Sequence, residues 1–251
     1  MTEKLLIDNV SKTFNGKISL VTTSLSVSDG ELITIVGPSG CGKSTLFNII
    51  SGVLQPTEGN VIINDKDVTN VPGNVGYMMQ KDLLLPWKST LENILTGVSL
   101  TRKPTKEDLE LAISMAQEYG LGDYLDNFPH SMSGGMRQRA AFLRTLMFDR
   151  DVLLLDEPFG ALDSQTRLSM QEWLLKVWAE QRRTVLFVTH DVEEAVFLAD
   201  RVVVMTPRPG RIEKIIDIDL PRPRTRTILT DQKFVEYKRM ILNLIYGGGK
   251  E

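Results

Sequence analysis

Residues 37–45 read GPSGCGKST and lie between the apolar runs LITIV (32–36) and LFNIISGVL (46–54). The stretch fits G-x-x-x-x-G-K-[ST], with Gly37, Gly42, Lys43 and Ser44 at the specified positions. Glycine at 37, 40 and 42 lets the backbone turn so that successive N–H groups face one concavity. A helix beginning near Lys43 adds its positive end. Lys43 brings a charge for β/γ-phosphates, and Ser44 a hydroxyl for Mg²⁺. The candidate phosphate-binding residues are Gly37, Pro38, Ser39, Gly40, Cys41, Gly42, Lys43, Ser44 and Thr45. A plain glycine turn is the alternative, and the strand before and helix after speak against it. Cys41 is the only cysteine in the chain, so it reads as a small inert residue rather than a redox switch.

The 251 residues suit one large domain, or a core with a subdomain. Hydrophobic content of 42% with 24% charged residues is ordinary for a globular protein. A net charge of −3 argues against a nucleic-acid binder working by bulk electrostatics. A single cysteine fits a reducing compartment. No apolar run approaches the ~20 residues that span a bilayer, and MTEKLLIDNV does not resemble a signal peptide. A cytosolic chain is expected, one that would act on a membrane only through a partner.

Short strands are expected over 4–36, punctuated by Asn15-Gly16 and Asp29-Gly30, followed by a helix from Lys43 towards Gln55-Pro56. NVIIND (60–65) and NVGYMMQ (74–80) read as further strands. From about Trp87 to Leu146 the pattern turns mainly helical. Thr105 and Asp108 approximate a capping box there, and Leu109, Ala112, Ile113 and Ala116 keep helical spacing until Gly120. DVLLLD (151–156) and TVLFVTH (184–190) are apolar strands separated by a helical stretch, and 202–205 and 211–220 suggest two more. Apolar strands alternating with helices imply a parallel sheet covered on both faces. The tail places Phe234, Tyr237, Ile241, Leu244 and Ile245 on one helical face before Gly247-Gly248-Gly249, a stripe better suited to core packing than to a partner surface.

Asp156-Glu157 closes one apolar strand, delivering two carboxylates to the sheet edge where ligands of α/β folds bind. Asp156 is the candidate for the Mg²⁺ shell, and Glu157 the group to polarise an attacking water. His190 ends a neighbouring strand, where a neutral imidazole can bridge phosphate and water. Gln80 ends a third strand at the same edge, and its amide can sense the metal or the water. SMSGGMRQR (131–139) offers a second anion-facing helix start at Ser133, Gly134 and Gly135. One nucleotide already occupies the first such start, so the second suggests a nucleotide held by another copy.

The chain resembles, over nearly its whole length, the ATP-binding subunits of ABC transporters. The motifs occur in that family's order: the phosphate loop, Gln80, the signature MSGGM (132–136), LLLDE (153–157), ALD (161–163) and His190. The family usually has LSGGQ at the signature, and Met136 removes its amide, so the phosphate role is carried only on Ser133, Gly134 and Gly135. The resemblance implies an α/β fold: a phosphate-loop NTPase core with a mainly parallel sheet, an N-terminal antiparallel β subdomain and an inserted helical subdomain. Within a single ABC ATPase domain spanning 1–251, core and β subdomain would occupy 1–86 and 147–251, and the helical signature subdomain 87–146. It implies Phe14 as an adenine-stacking residue, with core filling the alternative.

The same resemblance implies catalytic roles for Glu157, His190 and Gln80, and Mg²⁺ ligation by Ser44, Gln80 and Asp156. ATP would lie between two copies arranged head to tail. A separate integral membrane permease would dock on the apolar segment after Gln80, around Pro86-Trp87, unless Leu83–Trp87 fold inward. A solute-binding protein would take part indirectly. SGGMRQR, LLPW, and RPGRI followed by LPRPR resemble the subgroup importing nitrate, sulfonates, taurine, bicarbonate or thiamine precursors. The absence of a fused membrane segment favours an importer subunit, peripheral on the inner face of the cell membrane, and no large C-terminal regulatory domain is expected. A soluble ABC-type ATPase of DNA repair or chromosome maintenance is the alternative. Such proteins usually carry coiled coils or basic surfaces, and neither is evident.

Overall fold

The computed structural model describes residues 2–207 and 209–247. Arg208 of RPGRI, and Gly248 and Gly249 of the terminal glycine run, lie outside the described residues. The chain begins with β1 (Glu3–Phe14), β2 (Lys17–Ser28), β3 (Leu32–Val36), α1 (Lys43–Ile50), β4 (Glu58–Ile63), β5 (Lys66–Asp67) and β6 (Gly76–Met78). Helices α2 (Thr90–Ile94), α3 (Thr96–Ser99), α4 (Lys106–Glu118) and α5 (Gly134–Leu146) follow. Then come β7 (Val152–Asp156), α6 (Ser164–Gln181), β8 (Thr184–Thr189), α7 (Val192–Leu198), β9 (Arg201–Met205), β10 (Ile212–Asp217) and α8 (Gln232–Tyr246).

The strands form two sheets: an antiparallel one in the order β2-β1-β4-β5, and a larger one in the order β10-β9-β3-β8-β7-β6. Asn15-Gly16 supplies the two-residue turn that pairs Phe14 with Lys17. Asp29-Gly30 has a different effect. It sends the chain from β2 into the other sheet, because β3 pairs in parallel with β8 and β9. All neighbours from β9 to β6 are parallel, and only β10 runs antiparallel at the edge.

Both faces of the larger sheet are covered, which is why its strands carry apolar residues at successive positions. On one face Leu153, Leu155, Val185, Phe187, Val202 and Val204 pack with residues of α4 to α8. On the other, Leu154, Leu186, Val188, Val203 and Met205 pack with α1 and with Leu5, Ile7 and Val27 of the antiparallel sheet. The period of two in each strand thus divides its side chains between two cores.

Local signals explain several boundaries. Thr105 and Asp108 form a reciprocal capping box at α4. Of the stripe expected on that helix, Ala112 and Ala116 are buried, whereas Leu109 is exposed. Helix α1 is shorter than the sequence suggested: Gly52 takes a φ of 75°, so the helix ends at Ile50 and Val53 is exposed. The strand expected over 211–220 is limited to Ile212–Asp217. In α8, Phe234 and Ile241 are fully buried, and Tyr237, Leu244 and Ile245 pack against the same core. That stripe is core packing.

Candidate active site

Three parallel strands deliver the candidate residues to one edge of the sheet. Register pairs Val36 of β3 with Thr189 of β8, and Val188 of β8 with Asp156 of β7. The glycine loop, Asp156-Glu157 and His190 therefore leave the sheet at the same level. Gln80 reaches that edge from two residues beyond β6, which ends at Met78. A pocket of about 250 Å³ lies there, lined by Ser39, Gly40, Gly42, Lys43, Ser44, Thr45, Gln80 and Glu157, with Ser19 contributed by β2.

Gly42 caps α1 with a φ of 99°, and no side chain accepts a bond from the helix start. Gly37 serves a different need, since a Cβ there would lie 2.6 Å from the Met205 carbonyl oxygen and 2.9 Å from Cys41 Sγ. Lys43 is 7% exposed, and its Nζ donates to the carbonyls of Gly37 at 2.7 Å and Pro38 at 3.1 Å. The loop thus carries its own buried cation, oriented by its own backbone. Cys41 is fully buried, and that burial pushes its thiol pKa above the ordinary value, as expected of an inert filler.

Asp156 is buried at the end of β7. Its carboxyl is pushed above the usual carboxylate range chiefly by burial; a hydrogen bond from the Ser44 hydroxyl and the charge of Lys43 oppose that, and Glu157 adds to it. A hydroxyl and a carboxylate together make an oxygen donor set suited to Mg²⁺. Among the described residues no group of three or more His, Cys, Asp or Glu could hold a metal ion. An ion that takes most of its ligands from nucleotide phosphates and water needs no such group. Ser44, Asp156 and the Gln80 amide are the residues that would hold it.

Glu157 has a φ of 49°, in the left-handed region that a glutamate seldom adopts. Three bonds hold its backbone there. Its N–H donates to Val188 O at 3.0 Å, and its carbonyl accepts from Gly160 N at 3.2 Å and from Gln138 Nε2 at 3.1 Å. The carboxylate accepts from Gln80 Nε2 at 3.0 Å and lies 3.6 Å from His190 Nδ1. The three candidate catalytic residues therefore meet at one carboxylate, an arrangement that spacing along the chain could not show.

Ser133, Gly134 and Gly135 do not join this pocket. Ser133 is exposed and caps α5, its Oγ accepting from Met136 N at 3.2 Å. Helix α5 has no acidic residue in its first turn, so nothing there neutralises its positive end. Two arginines of α5 hold the segment after Gln80. Arg137 Nε bonds Asp82 Oδ2 at 3.0 Å, and Arg144 donates to the carbonyls of Asp82 and Leu83 at 2.7 and 2.8 Å.

That segment divides its apolar side chains. Leu84 is buried in the core, whereas Leu83, Pro86 and Trp87 are exposed, Trp87 by 70%. Inward folding is therefore complete for Leu84 and partial for Leu85. Leu83 and Leu85 line an apolar cavity of about 390 Å³ together with Val53, Met79, Leu100 and Phe148. Phe14 is also exposed, at the β1–β2 turn, with Lys12 Nζ 5.0 Å from its ring centroid, so it does not fill the core. It does not line the phosphate pocket, where β2 is represented by Ser19.

Sequence reading overlooked Gln138, Ser19 and the pairing of Asp82 with Arg137. Gln138 carried a usable signal, for it shares the helical face of Ala141 and Thr145, which are buried.

Residues 20–160 match the family model described as ABC transporter. The chain is 45% identical to an uncharacterised ABC transporter ATP-binding protein of Methanocaldococcus jannaschii, over 98% of this chain and 92% of that one. It is 39% identical to an aliphatic sulfonates import ATP-binding protein of Bacillus cereus, over 97% and 96% of the respective chains. Among solved structures it is similar to a dimeric ATP-binding cassette in a post-hydrolysis state bound to ADP and Pi. The TM-score is 0.78 and the identity 29%, over 86% of this chain and all of that one.

Proposed function

The chain belongs to the ABC transporter family as an ATP-binding subunit and ATP hydrolase, and from that premise we propose that it powers a solute importer by closing and opening as a head-to-tail dimer. One observation carries the proposal. Lys43, Ser44, Gln80 and Glu157 share one pocket, while the helix start at Ser133–Gly135 lies outside it, with Ser133 and Gly134 exposed and Gly135 half-buried. Such a helix start would cover the γ-phosphate of ATP held by a second copy. The solved relative described as dimeric supports the pairing of two copies.

In the proposed site, Lys43 and the loop N–H groups bind the β/γ-phosphates, and Phe14 offers an exposed ring for adenine. Ser44, Asp156 and Gln80 would hold Mg²⁺, whose charge would offset that of the phosphate oxygens. Glu157 accepts a proton as a water oxygen bonds to the γ-phosphorus. The bond from that phosphorus to the β–γ bridging oxygen breaks, releasing ADP and inorganic phosphate. His190 would hold the water and the γ-phosphate in line. Closure by the second copy excludes water and strengthens each of these interactions.

Power would pass to a membrane permease through the segment after Gln80. The exposed Trp87 and the apolar cavity beneath Leu83 form a surface suited to a partner helix. No described helix is long and apolar enough to cross a membrane, so a separate permease would supply the path. The likeness to an aliphatic sulfonates import protein favours the importer subgroup named above, with the solute chosen by permease and binding protein. The subunit would act at the cytoplasmic face of the cell membrane. The core, the antiparallel sheet and the 87–146 helical part would work as one ABC ATPase domain.

The test uses Glu157→Gln, which keeps shape while removing most of the proton-accepting power. By size-exclusion chromatography with light scattering, the purified variant is expected to be monomeric alone and with ADP, and dimeric with ATP. Adding Ser133→Arg is expected to abolish the ATP-dependent dimer. A dimer equally populated with ADP, or untouched by Ser133→Arg, would refute the shared site.

A further inference from the structure

A buried amide on α5 joins the two functional regions within one chain. Gln138 is 6% exposed, and both ends of its side chain are used. Its Nε2 donates to the carbonyl of Glu157 at 3.1 Å, and its Oε1 accepts from the N–H of Ala161 at 2.9 Å. The bonded groups begin and end the turn that follows β7, and Gly160 N closes that turn on the Glu157 carbonyl at 3.2 Å. Ser133, which caps the same helix, is little more than one turn away from Gln138.

Positive φ is unfavourable for a non-glycine residue, so the Glu157 backbone at 49° needs surrounding bonds to hold it. Val188 O fixes its N–H from the sheet side, and Gln138 fixes its carbonyl from the helix side. Rotating that peptide would swing the carboxylate away from Gln80 and His190, its partners at 3.0 and 3.6 Å. An amide suits this place because one end donates and the other accepts. A hydrocarbon of equal length would leave the Ala161 N–H without its partner and a lone pair of the Glu157 carbonyl unused, in a buried setting where such losses are costly.

We propose that Gln138 is a positioning residue for hydrolysis: it holds Glu157 in its left-handed conformation and ties that carboxylate to the helix whose start covers the second copy's nucleotide. Movement of α5 on closure then reaches Glu157 of the same chain through a side chain that contacts no nucleotide. This rests on the shared-site function proposed above, and it names the link by which docking at Ser133 and readiness at Glu157 become one event.

The test is Gln138→Met, which keeps length and volume and removes both hydrogen bonds, measured in the full chain with MgATP. The expected result is a fall in kcat of tenfold or more, with KM for ATP and binding of a fluorescent ATP analogue within about twofold of the parent. A double-mutant cycle separates positioning from general damage. In the Glu157→Gln background, single-turnover release of γ-phosphate should fall no further on adding Gln138→Met, and the ATP-dependent dimer of Glu157→Gln should persist. If Gln138→Met does not fold, Gln138→Glu replaces it in every arm, since that side chain can accept from Ala161 but, ionised, cannot donate to Glu157. A parental kcat, an additive fall in the cycle, or loss of the dimer only when Gln138 is changed would each overturn the proposal. Absence of the dimer in Glu157→Gln itself would instead count against the shared site, and the cycle would still decide the role of Gln138.

Discussion

Two helix starts in this molecule differ in what they could offer an anion. At α1 no side chain caps the helix, Gly42 turns at a φ of 99°, and Lys43 is stored within the loop on two backbone carbonyls. Asp156 is buried at the end of β7, on the same sheet edge. At α5 the start is exposed and already capped by Ser133. Its nearest cation, Arg137, is committed to Asp82 and to the carbonyl of Met132. The first start has a charge, a metal-suited pair and a concave wall, so it can hold a phosphate chain alone. The second supplies only a hydroxyl, backbone N–H groups and part of a helix dipole, worth ~0.3–1 kcal/mol when exposed. It can finish a site but cannot make one.

The most damaging way to break this contrast is Lys43→Ala. Losing a charge-assisted hydrogen bond costs ~1.5–3 kcal/mol, so ATP binding is expected to weaken by about tenfold to a hundredfold, and turnover with it. Titration with a fluorescent ATP analogue measures this, and parental affinity and turnover would show that α1 is not the primary site.

Ser133→Arg probes the other side. Binding of ATP to a single chain should stay within about twofold, while turnover is lost because the covering contact is filled with bulk. Loss of the cap should lower stability by about 1 kcal/mol, visible in chemical denaturation. Equal losses of binding and turnover would erase the distinction between the two starts.

Trp87→Ala should have the smallest effect on the purified subunit. Its ring is 70% exposed and lines neither helix start, so folding and ATP turnover should match the parent. Co-purification with an integral membrane protein should fail. A large drop in thermal midpoint would return Trp87 to a packing role, and intact co-purification would remove it from the docking surface.

How much of this could be read from the chain depends on the range of the interaction. Glycine spacing at 37–45, apolar strands at 152–156 and 184–189, and the capping box at Thr105 are local patterns, and each specified its own piece of structure. Those patterns also identified Lys43, Ser44, Asp156, Glu157 and His190 as candidates, because parallel strands must end at a common edge. Termination of α1 at Ile50 was less legible, since LFNIISGVL keeps an apolar character past the point where Gly52 turns the backbone.

Tertiary structure decided the rest. Gln80 and His190 are 110 residues apart in sequence, and only the sheet order β8-β7-β6 brings both to Glu157. The left-handed φ of Glu157 has no local signal, for it is imposed by Val188, Gly160 and Gln138 from three directions. Leu84 and Trp87 are equally apolar to a sequence pattern, and their opposite fates depend on which side of the chain the helical core covers. Periodicity and turn chemistry act over a few residues and are written in the sequence. The aim of a carboxylate depends on bonds between segments far apart in the chain, and those exist only once the two faces of the sheet are packed.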